Sequence, residues 1–253
     1  MSAAGEARLD PPGRGALVFY WVLRGLGIVL GKTFFRLRAK GLEHVPAEGP
    51  FILAPVHRSN LDFMVVLICC KRRMRYLAKD SIFKPVIGEV FKALGAIPVA
   101  RGTADRAALR ACIDVIEAGE PLVMFPEGTR QSGPEVQDVF DGPAYVQSRT
   151  GVPIVPVGIG GSAAAMPVGS KMIRPHRISV VVGASLPAPE GKKSVRRGAI
   201  RDQSALLKTR VQELFDQAQV DAGTPNQPVE AIEPAEPQSV EPAGDAPPVE
   251  ETG

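Results

Sequence analysis

A chain of 253 residues with 45% hydrophobic side chains is long enough for one sizeable core with further segments outside it. Its formal charge of +3 is unevenly distributed, because residues 222–253 carry seven acidic side chains and no Lys or Arg, which leaves +10 on residues 1–221. A basic body suits nucleic acid or an anionic membrane, but the few aromatic residues do not alternate with the basic ones. The composition therefore argues against a nucleic-acid partner and favours an anionic membrane surface.

The first predicted element is a helix over the apolar residues 16–30, with Arg24 at its middle. A central arginine costs about 2.5–3.5 kcal/mol in a bilayer, so a simple span is disfavoured relative to an amphipathic helix in the membrane interface. In that interpretation the aromatic residues 19–21 lie among the headgroups, and three basic residues meet the phosphates: Lys32, Arg36 and Arg38. The alternative is a soluble helix packed on the core.

Beyond residue 39, short apolar runs alternate with helical patterns. The predicted strands are 51–54, 75–78, 96–100, 121–125, 153–159 and 178–182, and the predicted helices are 61–70, 82–94, 104–118, 142–149 and 203–220. Continuous apolar strands between helices indicate an α/β fold in which helices cover a mixed sheet on both faces. We expect an N-terminal segment (1–38), one domain (39–221) and a disordered, acidic, Pro-rich tail (222–253).

A histidine and a carboxylate stand five positions apart in the string His57-Arg-Ser-Asn-Leu-Asp62. Ser59 followed by an acid three residues later is a capping-box pattern, which predicts that a helix starts near residue 60. With His57 in the preceding turn, its ring can fold back onto the Asp62 carboxylate. One ring nitrogen would then be held by the carboxylate and the other left free as a base. An ordinary capped turn explains the same pattern.

The second string, Phe125-Pro-Glu-Gly-Thr-Arg130, follows a predicted buried strand. Gly128 permits close backbone approach, Thr129 offers a hydroxyl, and Arg130 offers a planar fork suited to phosphate. We interpret Glu127 as a residue that orients Arg130 or accepts a substrate hydroxyl. A turn with a surface ion pair is the competing explanation.

Two further segments complete the pattern. The strand predicted over 96–100 leads to Arg101, a second candidate for a phosphate, and Lys79 at the end of the strand before it is a weaker one. The string Val152-Pro-Ile-Val-Pro-Val157 contains two prolines, which suggests an edge strand or the wall of a pocket.

These four segments, in this order over residues 57–157, resemble the glycerolipid acyltransferase family typified by lysophosphatidate acyltransferases. The resemblance implies that His57 is the general base, that Asp62 holds it, and that no cofactor or metal takes part. It places the phosphate-binding roles on Arg101, Glu127, Gly128, Thr129 and Arg130. The family form usually has a large apolar residue and an acid ahead of the second-segment arginine, whereas this chain has Pro98-Val-Ala100.

The resemblance further implies transfer of a fatty acyl group from acyl-CoA or acyl-carrier protein to lysophosphatidate, which gives phosphatidate for phospholipid synthesis. Glycerol 3-phosphate or another lysophospholipid remains open as the acceptor. A peripheral or monotopic position on the cytoplasmic face of the cell membrane follows as an expectation.

Other classes of protein fit less well. A serine hydrolase needs a G-x-S-x-G elbow and a P-loop nucleotide-binding protein needs the spacing G-x-x-x-x-G-K-[ST], and the chain contains neither motif. A non-catalytic lipid-binding protein of the same fold remains an alternative. The three cysteines have neither metal-site nor disulfide spacing, and they predict small buried side chains in a reducing compartment: Cys69, Cys70 and Cys112.

Overall fold

A seven-stranded sheet forms the centre of the computed structural model, which describes residues 13–99, 106–188 and 197–226. The strands are β1 (Arg38–Lys40), β2 (Ile52–Pro55), β3 (Arg75–Lys79), β4 (Ala96–Val99), β5 (Leu122–Val123), β6 (Ile154–Gly160) and β7 (Ser179–Val182). Their order across the sheet is β1-β7-β6-β2-β5-β3-β4, and every neighbouring pair is parallel except β6 and β7. The predicted mixed α/β sheet is confirmed.

Helices cover the sheet in two groups. They are α1 (Arg14–Phe34), α2 (Asp62–Val65), α3 (Pro85–Ala93), α4 (Arg106–Glu117), α5 (Gly142–Thr150), α6 (Ser162–Ala165) and α7 (Arg197–Ala222). Helix α1 packs on α2 and α3, whereas α5 packs on α4 and α7. The predicted strands and helices are present with shifted ends, except that the helix predicted over 61–70 is α-helical only over Asp62–Val65 and continues as a 3-10 turn over Val66–Ile68. We did not predict β1 and α6, because three and four residues are too few to show a period.

The hydrophobic core explains why the central strands are apolar without alternation. All residues of β2 and of β6 are buried, because helices lie on both faces of the sheet. The cysteines lie in this interior, as expected, and none is in a disulfide. Burial raises the pKa of Cys69 and of Cys112 to about 12, so these thiols are protonated and unreactive near neutral pH.

The strand with two prolines is not at an edge, contrary to one of our two interpretations. β6 lies between β2 and β7, with Ala54 opposite Pro156. Pairing with β7 begins one residue later, at Val157, so the missing N–H of Pro156 falls just outside that ladder. The edge strands of the described sheet are instead β1 and β4, and Pro98 lies in β4.

Helix α1 is the one helix in the described ranges that is long and apolar enough to cross a membrane, judged by length and composition alone. Its Arg24 does not face outward, because a guanidinium nitrogen donates to the Cys70 carbonyl oxygen at 2.8 Å. Tyr20 is fully buried against Leu67 and Leu94, so our prediction that it lies among headgroups is wrong. Phe19 and Trp21 are exposed, as that interpretation requires.

The tail predicted from residue 222 onward lies outside the described residues except for 222–226. The boundaries of the predicted domains therefore stay predictions.

Candidate active site

The carboxyl ends of two neighbouring strands bring the two strings together. β2 and β5 are adjacent and parallel, with Ile52 opposite Leu122, so the chain leaves both strands at the same edge of the sheet. His57 follows β2, and Phe125 follows β5. Their rings are stacked with centroids 4.0 Å apart. Ligands of open α/β sheets bind at this kind of edge.

The predicted contact between His57 and Asp62 is present. Nδ1 of His57 lies 3.0 Å from Oδ2 of Asp62. The Asp62 side chain is fully buried, whereas the histidine side chain is 15% exposed. In the described part of the chain no hydrogen bond involves Nε2 of His57, so its lone pair is available once Nδ1 carries the proton.

The turn between them differs in detail from a standard capping box. The Asp62 carboxylate accepts from the backbone N–H of Ser59 at 2.7 Å, as the pattern predicts, and also from that of Arg58 at 2.6 Å. The Ser59 hydroxyl, however, accepts from Leu61 N–H and donates to the Met166 carbonyl oxygen at 2.8 Å. Helix α2 therefore begins at Asp62 instead of residue 60.

Arg58 is a site residue that our sequence reasoning missed. It is 2% exposed, and one of its guanidinium nitrogens donates to both carboxylate oxygens of Glu127, at 2.9 and 2.7 Å. The guanidinium also lies over the Phe215 ring and donates to the Glu135 carbonyl oxygen. Its position between His57 and Asp62 could have indicated a role in the site. We assigned it none because an arginine in a turn is usually exposed.

Glu127 connects the two strings and does not orient Arg130. Its carboxylate is buried, binds Arg58, and accepts from the backbone N–H groups of His57 at 3.2 Å and Gln137 at 3.0 Å. These contacts hold the backbone of His57 against the loop after β5. Our interpretation that Glu127 orients Arg130 is therefore wrong, because its carboxylate binds Arg58 instead.

Gly128 is required by the shape of the loop after β5. Its φ is +67°, a region that favours glycine, and a Cβ atom there would lie 2.7 Å from the Phe140 ring. Its N–H donates to the Phe125 carbonyl oxygen, and the Thr129 N–H donates to the Glu127 carbonyl oxygen. Neither of these two amides is therefore free for an anion in this conformation.

The groups available to an anion at this loop are side chains. Arg130 is exposed, and no hydrogen bond or ion pair engages its guanidinium among the residues that the structure describes. The Thr129 hydroxyl accepts from Gln131 at 3.1 Å and keeps its own proton to donate. Arg101 lies outside the described residues. Lys79 ends β3, next to β5 in the sheet.

An apolar cavity of about 290 Å³ has Leu61, the sequence neighbour of Asp62, in its wall. The rest of the wall comes from α1 and the residues that follow it, from α2, and from Ile173 and Ile178 ahead of β7. Its walls are aliphatic and aromatic, which suits a hydrocarbon chain. Within the described ranges, no three His, Cys, Asp or Glu side chains form a group that could hold a metal ion.

Together these features define an α/β domain with a histidine–carboxylate pair and an arginine-bearing loop at one edge of its sheet. Residues 36–160 match the family model described as Acyltransferase. A chloroplastic 1-acyl-sn-glycerol-3-phosphate acyltransferase of Brassica napus is 30% identical over 147 residues, which is 56% of this chain and 42% of that protein. A Bacillus subtilis protein of the same name is 23% identical over 174 residues, or 68% of this chain and 84% of the relative.

The fold also matches a solved structure. The crystal structure of the 1-acyl-sn-glycerophosphate acyltransferase PlsC from Thermotoga maritima aligns with a TM-score of 0.66 and 22% identity, over 81% of this chain and 83% of that one. Residues 36–160 thus form a domain of the Acyltransferase family. The chain spans less than half the length of the plant relatives that it matches.

Proposed function

We propose that this protein transfers a fatty acyl group from acyl-CoA or acyl-carrier protein to the free hydroxyl of lysophosphatidate, which gives phosphatidate. The observation that carries the proposal is the 3.0 Å contact between Nδ1 of the partly exposed His57 and the carboxylate of the buried Asp62. The names of the relatives from Brassica napus and Bacillus subtilis support the acceptor class.

In the proposed reaction, the Asp62 carboxylate holds the proton on Nδ1 of His57, so that Nε2 is the base. Nε2 takes the proton of the acceptor hydroxyl as its oxygen attacks the thioester carbonyl carbon. The tetrahedral intermediate collapses with cleavage of the carbon–sulfur bond, and the departing thiolate takes the proton from His57. The products are an oxygen ester and a free thiol.

Phosphate binding falls, in this proposal, on Arg130 with the Thr129 hydroxyl, and on Arg101. An exposed guanidinium without a protein partner can form a bidentate pair with a phosphate. Gly128 and Glu127 hold the loop in the conformation that presents Arg130. The same groups suit glycerol 3-phosphate or another lysophospholipid, which are the alternative acceptors. The apolar cavity beside Leu61 would take an acyl chain.

The proposed location is the cytoplasmic face of the cell membrane, with α1 in the interface. Its outward side carries exposed apolar residues, including Val18, Val22, Leu26 and Val29. Its central charged residue, Arg24, donates a hydrogen bond to the Cys70 carbonyl oxygen of the domain. A helix with an exposed apolar side and a charge bound to the protein on the other side is suited to the membrane interface, with its apolar side in lipid.

The test is release of free thiol from palmitoyl-CoA or palmitoyl-acyl-carrier protein by the purified protein. Lysophosphatidate, glycerol 3-phosphate and lysophosphatidylcholine are supplied separately, and one reaction contains no acceptor. We expect release that requires lysophosphatidate and that His57→Ala abolishes. Arg130→Ala should mainly raise the KM for the acceptor.

His44→Gln is the matched control, because His44 lies away from the site and bonds the Val182 carbonyl oxygen. Equal activity of His57→Ala and the unchanged chain would contradict the mechanism. Release without any acceptor would instead indicate a thioesterase. A change in the donor KM alone for Arg130→Ala would contradict the proposed phosphate site.

A further inference from the structure

The loop of residues 166–177 between α6 and β7 has no role in the chemistry above, yet its surface is unusual. It exposes three large apolar side chains: Val168 at 45%, Met172 at 64% and Ile173 at 48%. Single exposed apolar residues are ordinary, but three within six positions on one loop form a patch.

The same loop is basic. Lys171, Arg174 and Arg177 are exposed, and residues 166–177 contain no acidic side chain. None of the three cations forms an ion pair within the described part of the chain. An apolar tip flanked by unpaired cations matches the interface of an anionic bilayer, where hydrocarbon and phosphate lie a few ångströms apart.

The loop has a defined shape that keeps this patch exposed. The Arg174 N–H donates to the Ala165 carbonyl oxygen at 2.8 Å and closes the loop at its neck. Inside it, the Ser170 N–H donates to the Pro167 carbonyl oxygen, and the Ser170 hydroxyl bonds the backbone of Met172. These bonds hold the loop in a conformation in which the three apolar side chains remain between 45% and 64% exposed.

The loop also lies next to the exposed side of α1. Ile173 lines the same cavity as Leu30 and Phe34 of α1. Where the loop ends, the Ile178 N–H donates to the Phe35 carbonyl oxygen, one residue beyond α1. Ile173 of the loop and the apolar residues at the end of α1 thus meet at this cavity.

We propose that the 166–177 loop is a second membrane-binding element, which inserts Met172 and Ile173 into an anionic bilayer beside α1. The inference rests on the proposed interface position of α1 and adds a contact to it. Because the Ser59 hydroxyl donates to the Met166 carbonyl oxygen, the start of this loop is bonded to the turn that carries His57. Insertion of the loop would place the opening of the active site at the lipid surface, where a lysophospholipid acceptor resides.

The first experiment follows the loop and α1 separately on the full chain. Trp21, the single tryptophan, reports α1. An NBD fluorophore on Met172→Cys reports the loop, since the native thiols are buried. The control is NBD on Leu206→Cys, at a residue 42% exposed on α7. With phosphatidylcholine–phosphatidylglycerol vesicles, we expect a blue shift and severalfold brightening of NBD at 172 and no change at 206.

A blue shift of Trp21 with a water-like NBD spectrum at 172 would overturn the proposal for the loop and leave α1 in the membrane. Unchanged spectra of both reporters would overturn both membrane contacts. The thiol-release assay runs with detergent-dispersed acceptor, so failure of the catalytic proposal is a separate result.

The second experiment measures partition onto vesicles by sedimentation. Met172→Asp with Ile173→Asp should weaken binding by at least about tenfold, since two apolar side chains can no longer leave water. Leu206→Asp should not. Equal losses in the two variants, with both folded by circular dichroism, would contradict the proposal.

A third experiment distinguishes binding by the cations of this loop from attraction of the whole protein's net charge to anionic vesicles. Lys171→Gln with Arg174→Gln and Arg177→Gln should reduce the preference for anionic over neutral vesicles by at least about tenfold. The control changes three cations of α7 to glutamine, namely Arg201, Lys208 and Arg210, so the net charge is the same. An equal loss in the control would show that the effect is one of net charge and would overturn the assignment to this loop.

Discussion

One carboxylate oxygen is the hydrogen-bond acceptor for three groups of the candidate site. Oδ2 of Asp62 accepts hydrogen bonds from the His57 ring and from the backbone N–H groups of Arg58 and Ser59. A buried carboxylate is stable only when it is paired and hydrogen-bonded in this way. The same contacts fix the turn, and in the proposed mechanism the contact with the ring also fixes the tautomer of His57.

Asp62→Asn is therefore expected to be informative. An amide has nearly the same shape and an oxygen in the same place, but it lacks the negative charge that stabilises the imidazolium formed when His57 takes a proton. We expect kcat to fall by about 10²- to 10⁴-fold with a small change in acceptor KM. Thiol-release kinetics measure it, with circular dichroism as the control for folding. A kcat near that of the unchanged chain would show that Asp62 only caps α2.

The buried ion pair between Arg58 and Glu127 is the second feature at this scale, and the loss of one partner should lower the stability of the fold. Both side chains are almost completely buried, so removal of either one leaves a charge without a partner. Arg58→Met should destabilise the protein by about 3–5 kcal/mol, and Glu127→Gln in that background should restore part of the loss because no buried charge then remains. Urea unfolding measures both.

The exposed Glu89–Lys92 pair of α3 provides the comparison for that experiment. Lys92→Met should change stability by less than about 1 kcal/mol, because solvent screens the pair. If Arg58→Met lowered the free energy of unfolding by no more than Lys92→Met, the Arg58–Glu127 pair would not hold the two strings together.

At the scale of elements, α7 lies directly on β6 because two glycines allow it. A Cβ atom on Gly158 would lie 2.1 Å from the Leu214 carbonyl oxygen, and one on Gly160 would lie 2.1 Å from that of Ala218. The backbone of the helix occupies the space that side chains would need. This packing seats α7, and with it Phe215 under Arg58.

Gly160→Ala should consequently cost about 1–3 kcal/mol or more, since the helix backbone must move to admit a methyl group. Gly198→Ala, in α7 with open space around it, should be neutral or stabilising by up to about 1 kcal/mol. Thermal and urea unfolding compare the two. Similar stabilities of both variants would mean that α7 shifts on the sheet without cost.

In helix α1, the structure binds to the domain the one central charge, Arg24, that argues against a simple membrane span. Arg24 bonds the Cys70 carbonyl oxygen and lies over the Trp21 ring, so its charge is directed to the domain. The cost of an arginine in lipid was a valid argument against a simple span. The structure adds that apolar residues from Val18 to Leu30 are exposed along α1, so a position in the membrane interface agrees with both facts.

On the scale of the whole molecule, the distribution of charge predicts how the protein meets a membrane. The seven acidic residues after position 221 reduce a body charge of +10 to a net +3. Changing these seven to glutamine or asparagine in the full chain should tighten binding to anionic vesicles, and added salt should reduce the gain because exposed charges are screened.

Vesicle sedimentation at low and high ionic strength measures this effect, and the thiol-release assay with dispersed acceptor serves as its control. We expect an unchanged kcat, since the tail has no assigned part in the chemistry. Identical vesicle affinities of the two chains at low salt would contradict the electrostatic interpretation.

Much of the fold was readable from the sequence because local pattern determines local structure. Apolar runs marked the central strands, and the spacing of His57 and Asp62 indicated a turn that folds the ring back onto the carboxylate. Short elements escaped detection: β1 is three residues long and is recognised only through its pairing with β7. The place of β6 inside the sheet was also hidden, since strand order depends on contacts between distant segments.

The sequence by itself therefore determined the α/β class, the two strings of the site and the uneven charge. Only the tertiary structure decided that Glu127 binds Arg58 instead of Arg130, that Tyr20 is buried, and that the 166–177 loop lies beside α1. The reason is physical. Periodicity and spacing describe what a segment does with its neighbours in sequence, whereas partners of buried charges and exposed apolar surfaces depend on which segments meet in space.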